Sequence, residues 1–302
     1  MIEQLKQQID RIKARGATYL DARYFPLEES NQLFMQNGNL KNASASGESG
    51  VGVRVLYKGA WGFSASSDMS NLAGLFDRAF ENAKAAAERV TFTTRLAEKD
   101  AIQAQFSSPC EINPFEVPLA DKVAFLKTMD DKMNQEGIFL RNSSLTFVRK
   151  QIVFVDSEGS EIEKLITEVF AGLEVNAQDA NGAMHERKFK LGQQGAVSRG
   201  WESIDAGLFT ENADRIVREL KEMVVADDCP KEDRSVIILP GIMYLQTHET
   251  IGHALELDRL LGYELAFAGD QRLVETRQVF RRDGQVRVED HQDVTGGFFE
   301  AG

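Results

Sequence analysis

The spacing of apolar residues changes several times along the chain, and each change marks an element. Ile2, Leu5, Ile9 and Ile12 recur at helical spacing in a charged background, which predicts a helix over about residues 2–15. "TYLDARYF" then reads as a strand. The stretch "LFMQNGNLKNASASGESGVGVRVLYKGAWGFSAS" reads as an antiparallel meander, with Asn37-Gly38 and Lys58-Gly59 as hairpin turns and "VGVRVLY" alternating between them. Alanine-rich helical spacing returns over 71–90 and again, less alanine-rich, over 119–135. Strands follow at "SLTFVRKQIVFVD", "EIEKLITEVFAGLEVNAQD" and "AMHERKFKL", the first two joined by a turn at Ser157-Glu158-Gly159, and a helix is expected over 211–226. "SVIIL" (235–239) has the pattern of a buried strand, Pro240-Gly241 breaks it, and an apolar helix takes over. Near the end, "RQVFRRDGQVRVED" predicts a hairpin around Asp283-Gly284.

Two punctuation marks divide this pattern. Pro109, Pro114 and Pro118 fall within ten residues, and "DDCPKED" occupies 227–233. The expected organisation is an N-terminal α+β unit (1–108), a middle α+β unit (109–226) and a C-terminal unit (232–302) that opens with the apolar helix. Each of the first two contains a strand, a glycine turn and two further strands, a weak internal repeat. The fold class expected is α+β: antiparallel meandering sheets with flanking helices.

Composition narrows the function. The net charge is −12, with 35 Lys and Arg against 47 Asp and Glu, and no basic patch stands out, which argues against nucleic-acid binding. No run approaches the roughly 18 apolar residues of a membrane helix. Met1–Gly16 lacks the apolar segment of a signal peptide. Two cysteines, Cys110 and Cys229, do not make a disulfide framework, and the expected location is cytoplasmic.

Candidate chemistry gathers in "THETIGHALELDR" (247–259), which holds two of the four histidines. His-Glu-x-x-His on a helix binds zinc, because residues four apart share a face and the glutamate can act as base. Here His248 and His253 are five apart, and in a regular helix they would point about 140° away from each other. A one-residue π-bulge would bring them together, and such bulges concentrate at functional sites. Gly252 is expected to permit it. His248 and His253 are then the metal ligands, zinc the metal, and Glu249 the general base that later returns the proton to a leaving amine. Glu256 and Asp258 are candidates to orient a ligand histidine. A catalytic zinc has three protein ligands, and Cys229, His291, His185 and Glu256 are candidates for the third. Two histidines and a carboxylate also suit redox iron, but a glutamate directly after a ligand histidine is what a hydrolase base requires. "GESGVGVRV" is not followed by a helix, so it lacks an anion-binding helix terminus. No Gly-x-Ser-x-Gly elbow occurs.

"THETIGHALELDRLLGYELAFAG" resembles the motif helix of the TldD/PmbA family of zinc peptidases. "MQNGNLKNASASGESGVGVRVLYKGAWGFSAS", "NPFEVPLADKVAFLKTMD" and "VFVDSEG" are similar to that family in order and spacing. The resemblance covers about residues 1–268. It implies a TldD-type subunit, a cytoplasmic metallopeptidase acting on short or unfolded peptides, paired with a TldE/PmbA-type subunit or with itself. His248 and His253 would be its metal ligands and Glu249 its catalytic carboxylate. The family's third ligand is a cysteine further downstream, and full-length members are longer, so the resemblance implies a C-terminally truncated member. The alternative is a catalytically inactive subunit that acts as an interaction protein. Peptides would most simply bind as a strand added to a sheet edge, which favours unfolded chains.

Overall fold

The computed structural model describes residues 1–90, 93–192, 195–227, 232–233 and 235–256, which fall into two compact units, Met1–Cys229 and Pro230–Gly302. In the first unit a helix, α1 (Ile2–Lys13), leads into three antiparallel strands, β1 (Tyr19–Gln36), β2 (Asn39–Tyr57) and β3 (Ala60–Ser66), and a second helix, α2 (Leu72–Ala87). After β4 (Gln103–Ser107) the same order returns: α3 (Leu119–Met133), β5 (Leu140–Asp156), β6 (Glu161–Gln178), β7 (Met184–Lys190), the short β8 (Ala196–Val197) and α4 (Ala206–Val224). The first strands of the two repeats, β1 and β5, pair antiparallel, so one eight-stranded sheet runs through both. Its path is β3-β2-β1-β5-β6-β4, with β7 and β8 also on β6.

The turn chemistry is that of the sequence. Asn37 (φ 47°) and Gly38 (φ 72°) join β1 to β2, and Lys58 (φ 48°) and Gly59 (φ 82°) join β2 to β3. Two consecutive positive φ values define the two-residue turn whose twist matches a hairpin. At Gly62 the reason for glycine is different: a Cβ there would lie 2.2 Å from the Ala79 carbonyl oxygen and the Ala83 nitrogen, so α2 can lie directly on β3. Side-chain caps start two helices, Asn71 accepting from the Gly74 N–H at 2.8 Å and Asp205 from the Leu208 N–H at 2.6 Å. α4 begins at Ala206, five residues before the start expected from periodicity.

β1 was expected to end near Phe25, yet it continues through Pro26 to Gln36 as a central strand. Proline is excluded from a central ladder except at a bulge, and a bulge is what forms. On one side Phe25 pairs with Gly50 and the next partners are Glu28 and Glu48; on the other Tyr24 pairs with Val153 and the next are Leu27 and Gln151. The one extra residue reverses the alternation along β1. Ala22 pairs with Val155 and Leu33 with Leu145, and those two β5 residues lie on the same face, ten positions apart. Leu20 and Ala22 therefore share a face with Leu33 and Met35, which they could not do in an unbulged strand.

Both hydrophobic cores use that face. One joins Leu5, Ile9 and Ile12 of α1 and Phe76 and Phe80 of α2 to Ala22, Val53 and Val155. The other joins Leu126 and Met133 of α3 and Phe209 and Ile216 of α4 to Leu33, Leu145, Phe147 and Leu173. Each of these large side chains contributes about 1.5–3 kcal/mol by leaving water. The second core also holds a charged pair, Asp130 with Arg141 at 3.2 Å, and Asn37 bonds both the N–H and C=O of Arg141.

In the second unit, residues 235–239 form neither helix nor strand, and Val236, Ile237 and Leu239 are 76%, 90% and 69% exposed. The buried strand expected at "SVIIL" is thus corrected: a strand needs a neighbour for its main-chain groups, and none pairs with it among the described residues. A helix, α5 (Pro240–Thr247), follows as expected. Asp258, the hairpin at Asp283-Gly284, Cys229 and His291 lie outside the described residues.

Candidate metal centre

α5 begins with Pro240, whose missing N–H is harmless in a first turn. From His248 to Gly252 the helix widens into a π turn, in which the His253 N–H bonds to the His248 carbonyl five residues back. A last tight turn, His253–Leu255, closes the element. Because one widened turn takes five residues, His248 and His253 come to the same side. Their rings lie 4.3 Å apart, centroid to centroid, at 74°. Gly252 lies within the widened turn, but its φ of −56° suits any residue, and a Cβ there would meet only the Thr247 carbonyl oxygen, at 3.8 Å. Among the described residues, the turn does not depend on glycine as the sequence had suggested.

Glu249 completes the group. One of its carboxylate oxygens is 3.9 Å from His248 Nε2 and the other 4.0 Å from His253 Nε2. One donor atom from each of the three residues falls within 4.8 Å of the others. Two imidazole nitrogens suit a borderline divalent ion, and the Glu249 carboxylate lies beside them. The Glu249 side chain is 61% exposed, so water and a ligand reach the group. His253 Nδ1 lies 2.7 Å from Glu256 Oε1. As donor there, Nδ1 carries the proton and leaves Nε2 with its lone pair toward Glu249. Glu256, one of the candidates for a third ligand, therefore uses a carboxylate oxygen to orient a histidine. Another, His185, is in β7 and pairs through Nε2 with Asp179 at 3.1 Å.

The buried polar groups of the first unit escaped sequence reasoning. Asp156, in the "VFVDSEG" turn, receives the Lys99 ammonium at 2.6 Å and the N–H groups of Glu158 and Ser160 at 2.9 Å each. Burial pushes its carboxyl up, but Lys99 and the Ser160 and Glu158 donors outweigh this and hold it below the usual carboxylate range. Opposite it on β1, Asp21 is gripped by Arg54, with Nη2 at 2.6 Å and Nε at 3.0 Å. Tyr19 beside them is raised far above its ordinary value, first by burial and then by Asp21 and Asp156. No local pattern announces the cationic partners, since Lys99 lies 57 residues from Asp156 and Arg54 lies 33 residues from Asp21.

Comparison with known proteins gives the lineage. The PmbA/TldA metallopeptidase domain 1 model matches residues 28–87, and the PmbA/TldA metallopeptidase central domain model matches 112–227. A protein of Methanocaldococcus jannaschii named a metalloprotease is 30% identical over 244 residues, covering 79% of this chain and 52% of that protein. A metalloprotease of Methanothermobacter thermautotrophicus is 26% identical over 232 residues, 77% of this chain and 49% of its own length. The chain thus spans about half the length of these relatives. Among solved structures, a Thermotoga maritima protein described as a proposed modulator of DNA gyrase aligns with a TM-score of 0.56 at 15% identity, over 76% of this chain and 50% of its own. TldE from Thermococcus kodakarensis aligns with a TM-score of 0.50 at 12% identity, over 72% and 47%. At such identities the structural likeness is one of fold, a mixed α+β fold built on antiparallel strands, as expected. The two domain models together match more than half of the chain, in the order of the two structural repeats, and the chain belongs to the PmbA/TldD metallopeptidase family.

Proposed function

We propose that this chain is the TldD-type, metal-binding member of its family and hydrolyses peptide bonds in short or unfolded peptides with zinc. The observation that carries this reading is the π turn that gathers His248, Glu249 and His253. His248 and His253 would hold the ion through Nε2. Zinc, when bound, supplies a Lewis acid that acidifies water and polarises a carbonyl. Glu249 sits about equally far from both Nε2 atoms, where it takes a proton from the attacking water and returns it to the leaving amine. Glu256 keeps His253 in the tautomer that can ligate.

The remaining assignments rest on the family and the sequence. A TldE/PmbA-type subunit, or a second copy, is the partner we assign. The compartment is the cytoplasm, on the sparse use of cysteine. No described helix is long and apolar enough to cross a membrane. We take 1–108 and 109–226 as the two repeats, and 232–302 as belonging to the domain that carries the metal helix.

Metal analysis of the purified chain beside His253→Ala and Glu249→Gln tests the reading. About one zinc per chain, lost in His253→Ala and kept in Glu249→Gln, is expected, with cleavage of an unfolded reporter peptide absent from both variants. A chain that takes up no zinc would instead be the inactive interaction subunit. Cleavage unaffected by Glu249→Gln would remove that residue from the chemistry.

A further inference from the structure

Five charged residues lie buried among those described: Asp21, Lys122, Asp130, Arg141 and Asp156. Four of them touch an opposite charge. Asp21 holds Arg54, Asp130 holds Arg141, and Asp156 holds Lys99. Lys122 is the exception. It is 3% exposed and makes neither a hydrogen bond nor an ion pair among the described residues, and burial alone accounts for its lowered pKa. Asp121, its neighbour in sequence, is exposed. Buried charges are ordinarily paired, because an unpaired one gives up its hydration without return.

What surrounds Lys122 adds positive charge or none. It stands in the first turn of α3, where the helix dipole is positive and disfavours a cation. Pro118 gives that helix start no side-chain cap, and the Leu119 and Ala120 N–H groups find no protein partner among the described residues. Helical side chains lean toward the start of their helix, so the Lys122 chain runs back toward those N–H groups. Its ammonium lies 5.0 Å from the centre of the Phe147 ring. Trp201 continues that apolar wall, its ring centred 5.7 Å from Phe147 and 6.2 Å from Phe125. Trp201 and Phe125 are both half-buried, and the Trp201 N–H bonds to the Ile112 carbonyl at 2.8 Å, which fixes the wall against the connection that leads into α3.

We infer that Lys122 and the uncapped start of α3 form a binding site for an organic carboxylate that carries one negative charge and a small apolar body. One unpaired ammonium matches one carboxylate, whereas a dianion such as phosphate would hold a second charge beside apolar rings. The carboxylate takes the ammonium through a charge-assisted bond, and the apolar body lies along Phe125 and Trp201, past whose half-buried edges it enters. A buried lysine that weakens the fold belongs to a site kept for binding rather than for stability. The site lies wholly in the first unit, and the inference does not rest on the metal centre.

NMR of the metal-free full chain with isotope-labelled lysine tests the inference. The Lys122 Cε signal is identified as the one missing from Lys122→Arg. The probe is para-fluorobenzoate, with para-fluorobenzamide as its uncharged match and inorganic phosphate as the dianion. Benzoate should bind with a Kd of about 1 mM, shift the Lys122 signal and raise its titration midpoint by about half a unit or more, since a bound anion favours the ammonium. The amide and phosphate should bind about tenfold more weakly or worse, and Lys122→Met should lose about tenfold in benzoate affinity. The response of Lys122 in the wild-type chain decides the matter even where that variant does not fold. A second arm uses acetyl-diglycyl-phenylalanine: binding tighter than benzoate assigns the site to peptide C-termini, and weaker binding assigns it to free acids. Binding that leaves Lys122 unmoved, equal binding of the amide, or no binding at about 20 mM benzoate would overturn the inference. An inactive metal centre would alter none of these readings, so the two proposals fail separately.

Discussion

Replacing Glu256 by glutamine tests how the metal centre is organised. Glu256 Oε1 lies 2.7 Å from His253 Nδ1, the length of a charge-assisted hydrogen bond. Glutamine keeps an acceptor at that place and removes the charge. A bond to a charged group contributes about 1.5–3 kcal/mol when buried, but these side chains are 32% and 40% exposed, and water competes. The loss should therefore fall near the lower bound, about 1.4 kcal/mol, or tenfold in zinc affinity, within the roughly 10–100-fold range for groups that orient a ligand. Competition against a chromophoric chelator at fixed pH and salt would measure it. Wild type, Glu256→Gln, His253→Ala and Glu249→Gln are compared in one titration, with Glu249→Gln expected within about threefold of wild type. A Glu256→Gln chain that binds as wild type does would show that the contact orients nothing. If Glu256→Gln is as defective as His253→Ala, the carboxylate is itself a ligand.

Three further outcomes follow from the first unit. Arg141→Met leaves the carboxylate of Asp130, itself 2% exposed, without its buried partner. Urea unfolding should register a loss of about 3–5 kcal/mol, and the double variant with Asp130→Leu should recover most of it; two single variants within 1 kcal/mol of wild type would refute a desolvated pair. Lys122, in the first turn of α3, is buried with its ammonium 5.0 Å from the Phe147 ring centre, and burial lowers its pKa. A depressed lysine weakens the fold below its unfolded pKa of roughly 10.4 and stops doing so as pH rises past it. Lys122→Met should then stabilise by roughly 1–3 kcal/mol at pH 7, with the gain shrinking toward pH 11; destabilisation at pH 7 would mean that the cation–ring contact dominates. The depressed carboxyl of Asp156 contributes stability that is present above its unfolded pKa of about 3.9 and is lost as pH falls through the lower folded value. Removing its cation in Lys99→Met should move the onset of acid unfolding to higher pH by roughly half a unit or more, seen in urea midpoints from pH 7 to 3, and an unmoved onset would discount the pair.

By itself the sequence determined what neighbours within a few residues control. Asn37-Gly38 and Lys58-Gly59 prescribe their turns through positive φ, and the spacing of Leu5, Ile9 and Ile12 prescribes the buried stripe of α1. The five-residue step from His248 to His253 announced a widened turn, because only local helical geometry reconciles that spacing with one site. Tertiary structure decided the rest. The strand read at "TYLDARYF" stopped short of Pro26, and only β2 and β5 on either side turn that proline into a bulge that brings two cores to one face. The pairing of β1 with β5, the ion pairs of Asp21 and Asp156 and the parallel docking of β4 all depend on segments tens to more than a hundred residues apart. Turn and helix preferences act over three or four residues of chain. Which strand lies beside which is settled by the burial that the assembled sheet achieves, and no local pattern carries that information.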